Sequence, residues 1–394
     1  MAAEKSTPMA QADSPREPIT LAHVNTPPAQ TWNYLRINDV SFDVPAPEPA
    51  RTGAAFNRLP QIFSKVEDGL GTDALAWIER MADGATYVEV PARTHREDPI
   101  VLATGDDAPF ASAGVIVREG ASATICLTAS GTATSAAEKS APAPTTGSAL
   151  RVICERDASV DIVEIVASPD GHQHLEAIGI DCAERASAVV RQFALGGAKV
   201  AMGLAVNLAG DSSRFELANR YVVRGADLLD VNHVVRQRGR NTTSDLSATG
   251  VLLDEATKTM RETIDLVHGA KNSRGNELEC VLVCGDGVTN KTLPTILCDE
   301  EDVQGNHGAT IGTISPEQLS YLACRGLSSS DVEALFSRAI FDDALAHTVD
   351  APSREAVARR AAPIFGDTFA EEAAIMPADA TDAPSAPADT LPER

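Results

Sequence analysis

The sequence predicts a mainly β protein built as a solenoid, with helical segments at both ends. Three observations carry this. First, a unit made of a small or acidic turn followed by an alternating apolar strand recurs. Its copies are Gly120-Ala121-Ser122-Ala123-Thr124-Ile125-Cys126-Leu127, Asp157-Ala158-Ser159-Val160-Asp161-Ile162-Val163-Glu164-Ile165, Arg185-Ala186-Ser187-Ala188-Val189-Val190 and Asp211-Ser212-Ser213-Arg214-Phe215-Glu216-Leu217. They lie roughly 25–37 residues apart, a period at which each unit buries its apolar face only against its neighbours. The longest gap holds an Ala/Thr/Ser/Pro-rich insertion at 130–147. Second, helical signals nearly vanish between residues 85 and 313, where Val and Ile dominate. Third, helix signals return sharply at Ser315. On the residues alone a β-sandwich also accommodates short strands punctuated by turns.

The elements follow in order. Residues 1–30 are polar and proline-bearing, which predicts a disordered arm. Residues 31–84 form an N-terminal helical region. In it Trp32 and Tyr34 read as aromatic anchors for the arm, and 72–82 reads as a short helix with Thr72 as N-cap and Gly84 as stop. The core spans 85–311, entered by the alternating Thr86-Tyr87-Val88-Glu89-Val90 and continued by Pro99-Ile100-Val101-Leu102-Ala103. A helical domain covers 312–373. Ser315-Pro316-Glu317-Gln318 supplies an N-cap, a proline in the first turn and an acidic start, and Gly326 suits the position after the helix end. Ser330-Asp331-Val332-Glu333 reads as a capping box for a second helix. Val332, Leu335, Phe336, Ala339 and Ile340 then share one face, part of which is expected to stay exposed for a partner. A third helix is predicted near Ser353, after Pro352, and residues 374–394 are an acidic Pro/Ala-rich tail predicted to be disordered.

The chain has 394 residues, 43% of them hydrophobic, and a formal net charge of −23. Such an acidic chain is a poor partner for nucleic acid or anionic membrane. The basic run Arg236-Gln237-Arg238-Gly239-Arg240 reads as a solvated edge or turn. No apolar run approaches the roughly 20 residues of a membrane span, and the N-terminus has no apolar signal core, so a cytoplasmic location is expected. The 7 cysteines are expected to be reduced.

Few motifs carry chemistry by themselves. Gly285-Asp286-Gly287-Val288-Thr289-Asn290-Lys291-Thr292 comes close to a phosphate-binding loop, but Asn290 replaces the second glycine. Pro294 and a β-type run follow where a helix must start, so no nucleotide is expected to bind this chain. Cys280, Cys284, Cys298 and His307 cluster in sequence without zinc-ribbon spacing. Cys280 and Cys284 read as small apolar core residues. Cys298 and His307 are the better ligand candidates because both lie near the end of the solenoid. His172 and His174 read as loop residues, and His233 and His268 as structural residues in apolar strands.

One segment says more by comparison. Gly305-Asn306-His307-Gly308-Ala309-Thr310-Ile311-Gly312, followed by Glu317-Gln318-Leu319-Ser320-Tyr321-Leu322-Ala323-Cys324-Arg325-Gly326-Leu327, resembles the C-terminal signature of the SufB/SufD family of iron–sulfur cluster assembly scaffolds, in the form typical of SufD. Pro294-x-x-x-Cys298 with His307 nine residues later fits the family spacing, and the Trp32 segment and Val88–Leu102 with Gly114–Ala123 are similar to its N-terminal parts. The resemblance implies a right-handed parallel β-helix core and decides against the sandwich. It implies a non-enzymatic scaffold subunit that pairs with a SufB-like protein and docks a SufC-like ABC-type ATPase through the C-terminal helices. A homodimer is the alternative assembly. His307, with Cys298 as a second metal-ligand candidate, would hold a transient iron–sulfur cluster or iron at the subunit interface. The cysteine that SufB scaffolds use falls at Glu279, and the cysteine many SufD proteins carry two residues before the histidine is Gly305 here. Two other readings compete with this one: an autonomous metal-binding protein using Cys280, Cys284 and Cys298, and a β-helix carbohydrate-active enzyme.

Overall fold

The computed structural model describes residues 17–29, 33–48, 58–132, 142–366 and 369. The chain enters through two short strands, β1 (Ile19–Leu21) and β2 (Phe42–Val44), paired antiparallel, and a helix, α1 (Thr72–Met81). Sixteen strands follow, from β3 to β18. They are β3 (Thr86–Val90), β4 (Ile100–Thr104), β5 (Phe110–Val117), β6 (Ser122–Ala129), β7 (Thr145–Cys154), β8 (Ser159–Ala167), β9 (Gln173–Cys182), β10 (Ser187–Gly196), β11 (Lys199–Leu208), β12 (Arg214–Val223), β13 (Leu228–Gln237), β14 (Thr243–Leu253), β15 (Thr257–Leu266), β16 (Arg274–Cys284), β17 (Thr289–Cys298) and β18 (Gln304–Gly312). Odd strands form one eight-stranded sheet and even strands another. Every pair in both sheets is parallel, each strand hydrogen-bonded to the one two places along. This is a β-solenoid, not a sandwich.

The repeat in the sequence is the corner of each coil. Along the even sheet the register Ser159, Ser187, Arg214, Thr243, Arg274, Gln304 advances by 28, 27, 29, 31 and 30 residues. Two residues before a strand begins, the backbone turns through positive φ at Gly120, Asp157, Arg185, Ser212, Asn241 and Asn272. The next residue is small and buried: Ala121, Ala158, Ala186, Ser213, Thr242 and Ser273. A left-handed residue reverses the chain in the fewest steps, and a small side chain after it lets coils stack at sheet spacing.

Inside, alternate residues of both sheets meet. One apolar cluster contains Ile162, Val190 and Leu217, and a second contains Val166, Ala194 and Tyr221. Between them along β8, β10 and β12 runs a polar row, Glu164, Gln192 and Asn219. Gln192 donates to Glu164 at 2.7 Å and Asn219 donates to Gln192 at 3.0 Å. Buried polar groups of this kind need partners.

The N-terminal segment lies on the outer face of the odd sheet. Leu21, Phe42, Val44, Trp77 and Ile78 pack there on Ala149, Leu175 and Ala201. Residues 19–29 of the expected disordered arm are therefore part of the fold, while residues 1–16 and Trp32 lie outside the described residues. Tyr34 is 78% exposed, and the buried Phe42 and Val44 anchor the segment instead. The helix cap is Gly71, not Thr72. Close approach here requires glycine: a Cβ on Gly203 would sit 2.2 Å from the Leu70 backbone nitrogen. Gly203→Val should therefore destabilise the protein by about 3 kcal/mol, the upper range for overpacking, read as a lowered urea midpoint. A midpoint equal to wild type would show that the segment yields freely.

Three helices close the chain, α2 (Pro316–Cys324), α3 (Ser329–His347) and α4 (Ala351–Phe365). Ser315 and Gln318 form the cap of α2 as the sequence predicts, with Pro316 at its start. The capping box of α3 is Ser328 with Asp331, two residues ahead of the expected Ser330 with Glu333. Asp350 caps α4, which starts at Ala351 rather than near Ser353. α3 and α4 bury Phe341, Leu345, Val357 and Ala361 against Val163, Ile165, Phe193 and Val251 on the outer face of the even sheet. Among the described residues no helix is long and apolar enough to cross a membrane.

Candidate functional site

β17 and β18 are the last strands of their sheets, so the inward face of the final coil has no coil stacked on it. His307 stands on that face. It pairs in register with Glu277 of β16, and directly paired residues of parallel strands project to the same side. The row Gly275, Glu277, Glu279, Val281 points inward, while Asn276, Leu278 and Cys280 between them are exposed on the outer wall. His307 is exposed, and among the described residues no strand stacks on the coil end. Gly305, on the same face, lets Ile296 pack close; a Cβ there would lie 3.0 Å from the Ile296 side chain.

Cys298 also belongs to the last coil, paired in register with Leu266 and exposed. Its thiol donates to the Glu300 carbonyl at 3.2 Å. The Ile296–Gly305 contact sets Pro294 opposite His307, so Cys298 lies four residues, about 13 Å, further along β17. The two candidates share the open end without forming one ligand pair. Cys280 and Cys284 are not the core residues expected: Cys280 is exposed on the outer wall and Cys284 is half-buried, its thiol pushed up to about 11 by desolvation. Cys280 points outward from the even sheet and Cys298 inward from the odd sheet. Among the described residues no group of three or more His, Cys, Asp or Glu could hold a metal ion. His307 thus offers a single ligand.

Beneath the last coil lies a network of buried charge that the sequence reading missed. Glu279, fully buried, accepts from Lys258 Nζ at 2.5 Å, from Thr292 at 2.6 Å and from the Tyr221 hydroxyl at 2.9 Å. Desolvation lowers the Lys258 pKa, and the Glu279 carboxylate works against that shift. Beside this group, Glu277 is pushed up to about 9, first by desolvation and then by Glu262 and Glu279. Burial and the neighbouring carboxyls thus favour its neutral form. Glu262 Oε1 in turn lies 2.9 Å from His233 Nδ1.

Deeper in the barrel His174 is fully buried on β9, not in a loop. Its Nδ1 is 2.8 Å from Thr146, its Nε2 is 3.5 Å from Glu176, and burial holds its pKa down to about 4. His172 is buried as well, at the turn before β9. His233 is buried and structural as expected, whereas His268 sits on an exposed turn after β15. The carboxylates were findable by parity: Ile162-x-Glu164-x-Val166 and Met260-x-Glu262-x-Ile264 keep one face throughout. The near phosphate loop, Gly285–Thr292, runs from a turn into strand β17, with no helix start to receive phosphate.

Comparison with known proteins adds the family level. Residues 101–340 match the family model described as SUF system FeS cluster assembly, SufBD core domain. The chain is 27% identical over 129 residues to the iron-sulfur cluster assembly protein SufD of Bacillus subtilis, covering 33% of this chain and 30% of that protein. It is 22% identical over 191 residues to the protein of the same name from Escherichia coli, covering 48% and 45%. A SufBD family protein of Methanocaldococcus jannaschii is 20% identical over 136 residues, covering 34% and 42%. The chain thus matches less than half the length of each of these relatives.

Proposed function

Because the chain belongs to the SufBD core family of SUF-system FeS cluster assembly proteins, we propose that it is a SufD-type scaffold subunit in a three-protein assembly. It pairs with a SufB-like subunit through the open end of the solenoid, and a SufC-like ABC-type ATPase docks on its C-terminal helices. The observation that carries this reading is His307 on the uncovered inward face of the last coil. Beside it, β17 and β18 present terminal edges whose backbone groups suit strand pairing with another chain. A homodimer would use the same edges.

The cluster or its iron is cargo, held transiently between subunits. An imidazole from this chain and thiolates from the partner are suitable iron ligands. Glu279, at the position of the SufB cysteine, is locked in an ion pair with Lys258, so the sulfur-bearing thiol comes from the partner. This subunit binds and positions; it makes no bonds of its own. Tyr321, Leu327, Leu335 and Phe336 are exposed on and between α2 and α3 and form the docking surface for the ATPase. The cytoplasm is the fitting compartment for reduced cysteines.

The test is His307→Ala in a complex co-purified from its own cell extract. Folding and assembly should persist, because the side chain is exposed. Iron and acid-labile sulfide on the complex should fall to about half of wild type or less, the partner keeping its own ligands. Wild-type iron and sulfide, or failure to recover an ABC-type ATPase and a second β-solenoid protein, would defeat the reading.

A further inference from the structure

Glu277 is the register partner of His307 on the inward face of the solenoid, one strand below it. Among the described residues no other coil lies above, and Glu277 Oε2 is buried one register step below His307 without a hydrogen-bond partner in the structure. Glu277 is itself held from behind. It is 4% exposed and neighbours Glu262, which His233 braces at 2.9 Å. All three side chains sit on adjacent inward positions, so the carboxyl has little freedom to swing away. On the other flank Glu279 is fixed by Lys258, Tyr221 and Thr292.

We propose that Glu277 is the positioning residue of His307: its carboxyl accepts one imidazole N–H and leaves the other ring nitrogen, unprotonated, facing the open end. A metal-ligating histidine needs its second nitrogen held in this way, because the hydrogen bond sets both the tautomer and the ring plane. The role does not depend on charge, since a carboxylic acid and a carboxylate both keep an acceptor oxygen. It extends the reading of His307 as a cargo ligand, and it concerns residues of this chain alone.

The experiment reads the tautomer of His307 in the full-length, metal-free chain labelled with nitrogen-15, above the imidazole titration range. His307→Gln identifies the signals. In wild type one tautomer should depart from the free-histidine ratio by about tenfold, the effect of one hydrogen bond of ordinary strength. Glu277→Gln keeps a carbonyl acceptor toward His307 and an N–H donor toward Glu262, so it should preserve that ratio. Glu277→Leu should return it to the free-histidine value. A free-histidine ratio in wild type overturns the proposal whether or not the leucine variant folds, and so does an unchanged ratio in a folded Glu277→Leu. A second readout, iron on the co-purified complex, should be near wild type for Glu277→Gln and several-fold lower for Glu277→Leu. Wild-type iron in His307→Ala with a Glu277-dependent tautomer would sink the ligand reading while leaving the positioning intact.

Discussion

Replacing Leu335 and Phe336 together with aspartate is expected to abolish capture of the proposed ABC-type ATPase partner and to leave the stability of the chain within about 0.5 kcal/mol of wild type. The reason is how α3 divides its apolar residues. Ile340, Phe341 and Leu345 are buried against the even sheet and Val332 is buried too, whereas Leu335 is 59% and Phe336 44% exposed. The exposed pair contributes almost nothing to the fold. Anchors of this kind at a protein interface cost about 2 kcal/mol or more each when lost, roughly a 30-fold change in affinity apiece. Pull-down followed by titration calorimetry measures it. Undiminished ATPase binding in the double variant would remove α3 from the docking surface. Deleting residues 313–373 is not an equivalent test. α3 and α4 cover Val163, Ile165, Phe193 and Val251. Uncovering that face exposes a large apolar patch and invites aggregation.

Arg261→Met is expected to cost about 3–5 kcal/mol, the range for breaking a buried ion pair from one side. Arg261 and Asp230 are both 0% exposed and paired at 2.9 Å. The guanidinium also donates to the backbone carbonyl of Ile37, and Asn25 donates to Asp230 at 2.7 Å. The pair thus ties the N-terminal segment to the odd sheet. Without Arg261, Asp230 remains buried with only Asn25 and the more distant Lys199 to offset desolvation that already raises its pKa. Urea denaturation should show the loss, and limited proteolysis should cut near Ile37 at lower protease. The double variant Arg261→Met with Asp230→Leu should recover a substantial part of it. A single variant as stable as wild type would mean that the segment is held by Phe42, Val44 and Trp77 alone.

The solenoid was legible because its corner is written locally. Asp157-Ala158-Ser159 and Arg185-Ala186-Ser187 show the turn, the small buried residue and the strand start without reference to any other coil. The start of α2 was legible for the same reason, since Ser315, Pro316 and Gln318 act within one turn. The cap of α3 was not. Ser328 with Asp331 and Ser330 with Glu333 satisfy the same spacing, and the helix longer by two residues won. His307 could be singled out from its glycine-flanked motif, but its support could not. Glu277, Glu262 and His233 lie on three different strands, β16, β15 and β13, and only the stacking of coils, which sets His233 in register with Glu262, brings them together. Cys280 was misread because an even spacing to Cys284 says that the two share a face without saying which one.

Coil stacking also makes the molecule a graduated rule. Neighbouring strands lie about 4.8 Å apart, so the seven steps across an eight-stranded sheet span roughly 33 Å. α3 and α4 grip the even sheet at β8, β10, β12 and β14, and His307 rides on β18. The offset between the grip and the histidine is therefore a whole number of strand steps along the axis. Adding or removing one coil between them would shift it by a single graduation while leaving every corner unchanged. A partner that must hold the helices and meet the open end at once is selecting for length, and that length is counted in coils.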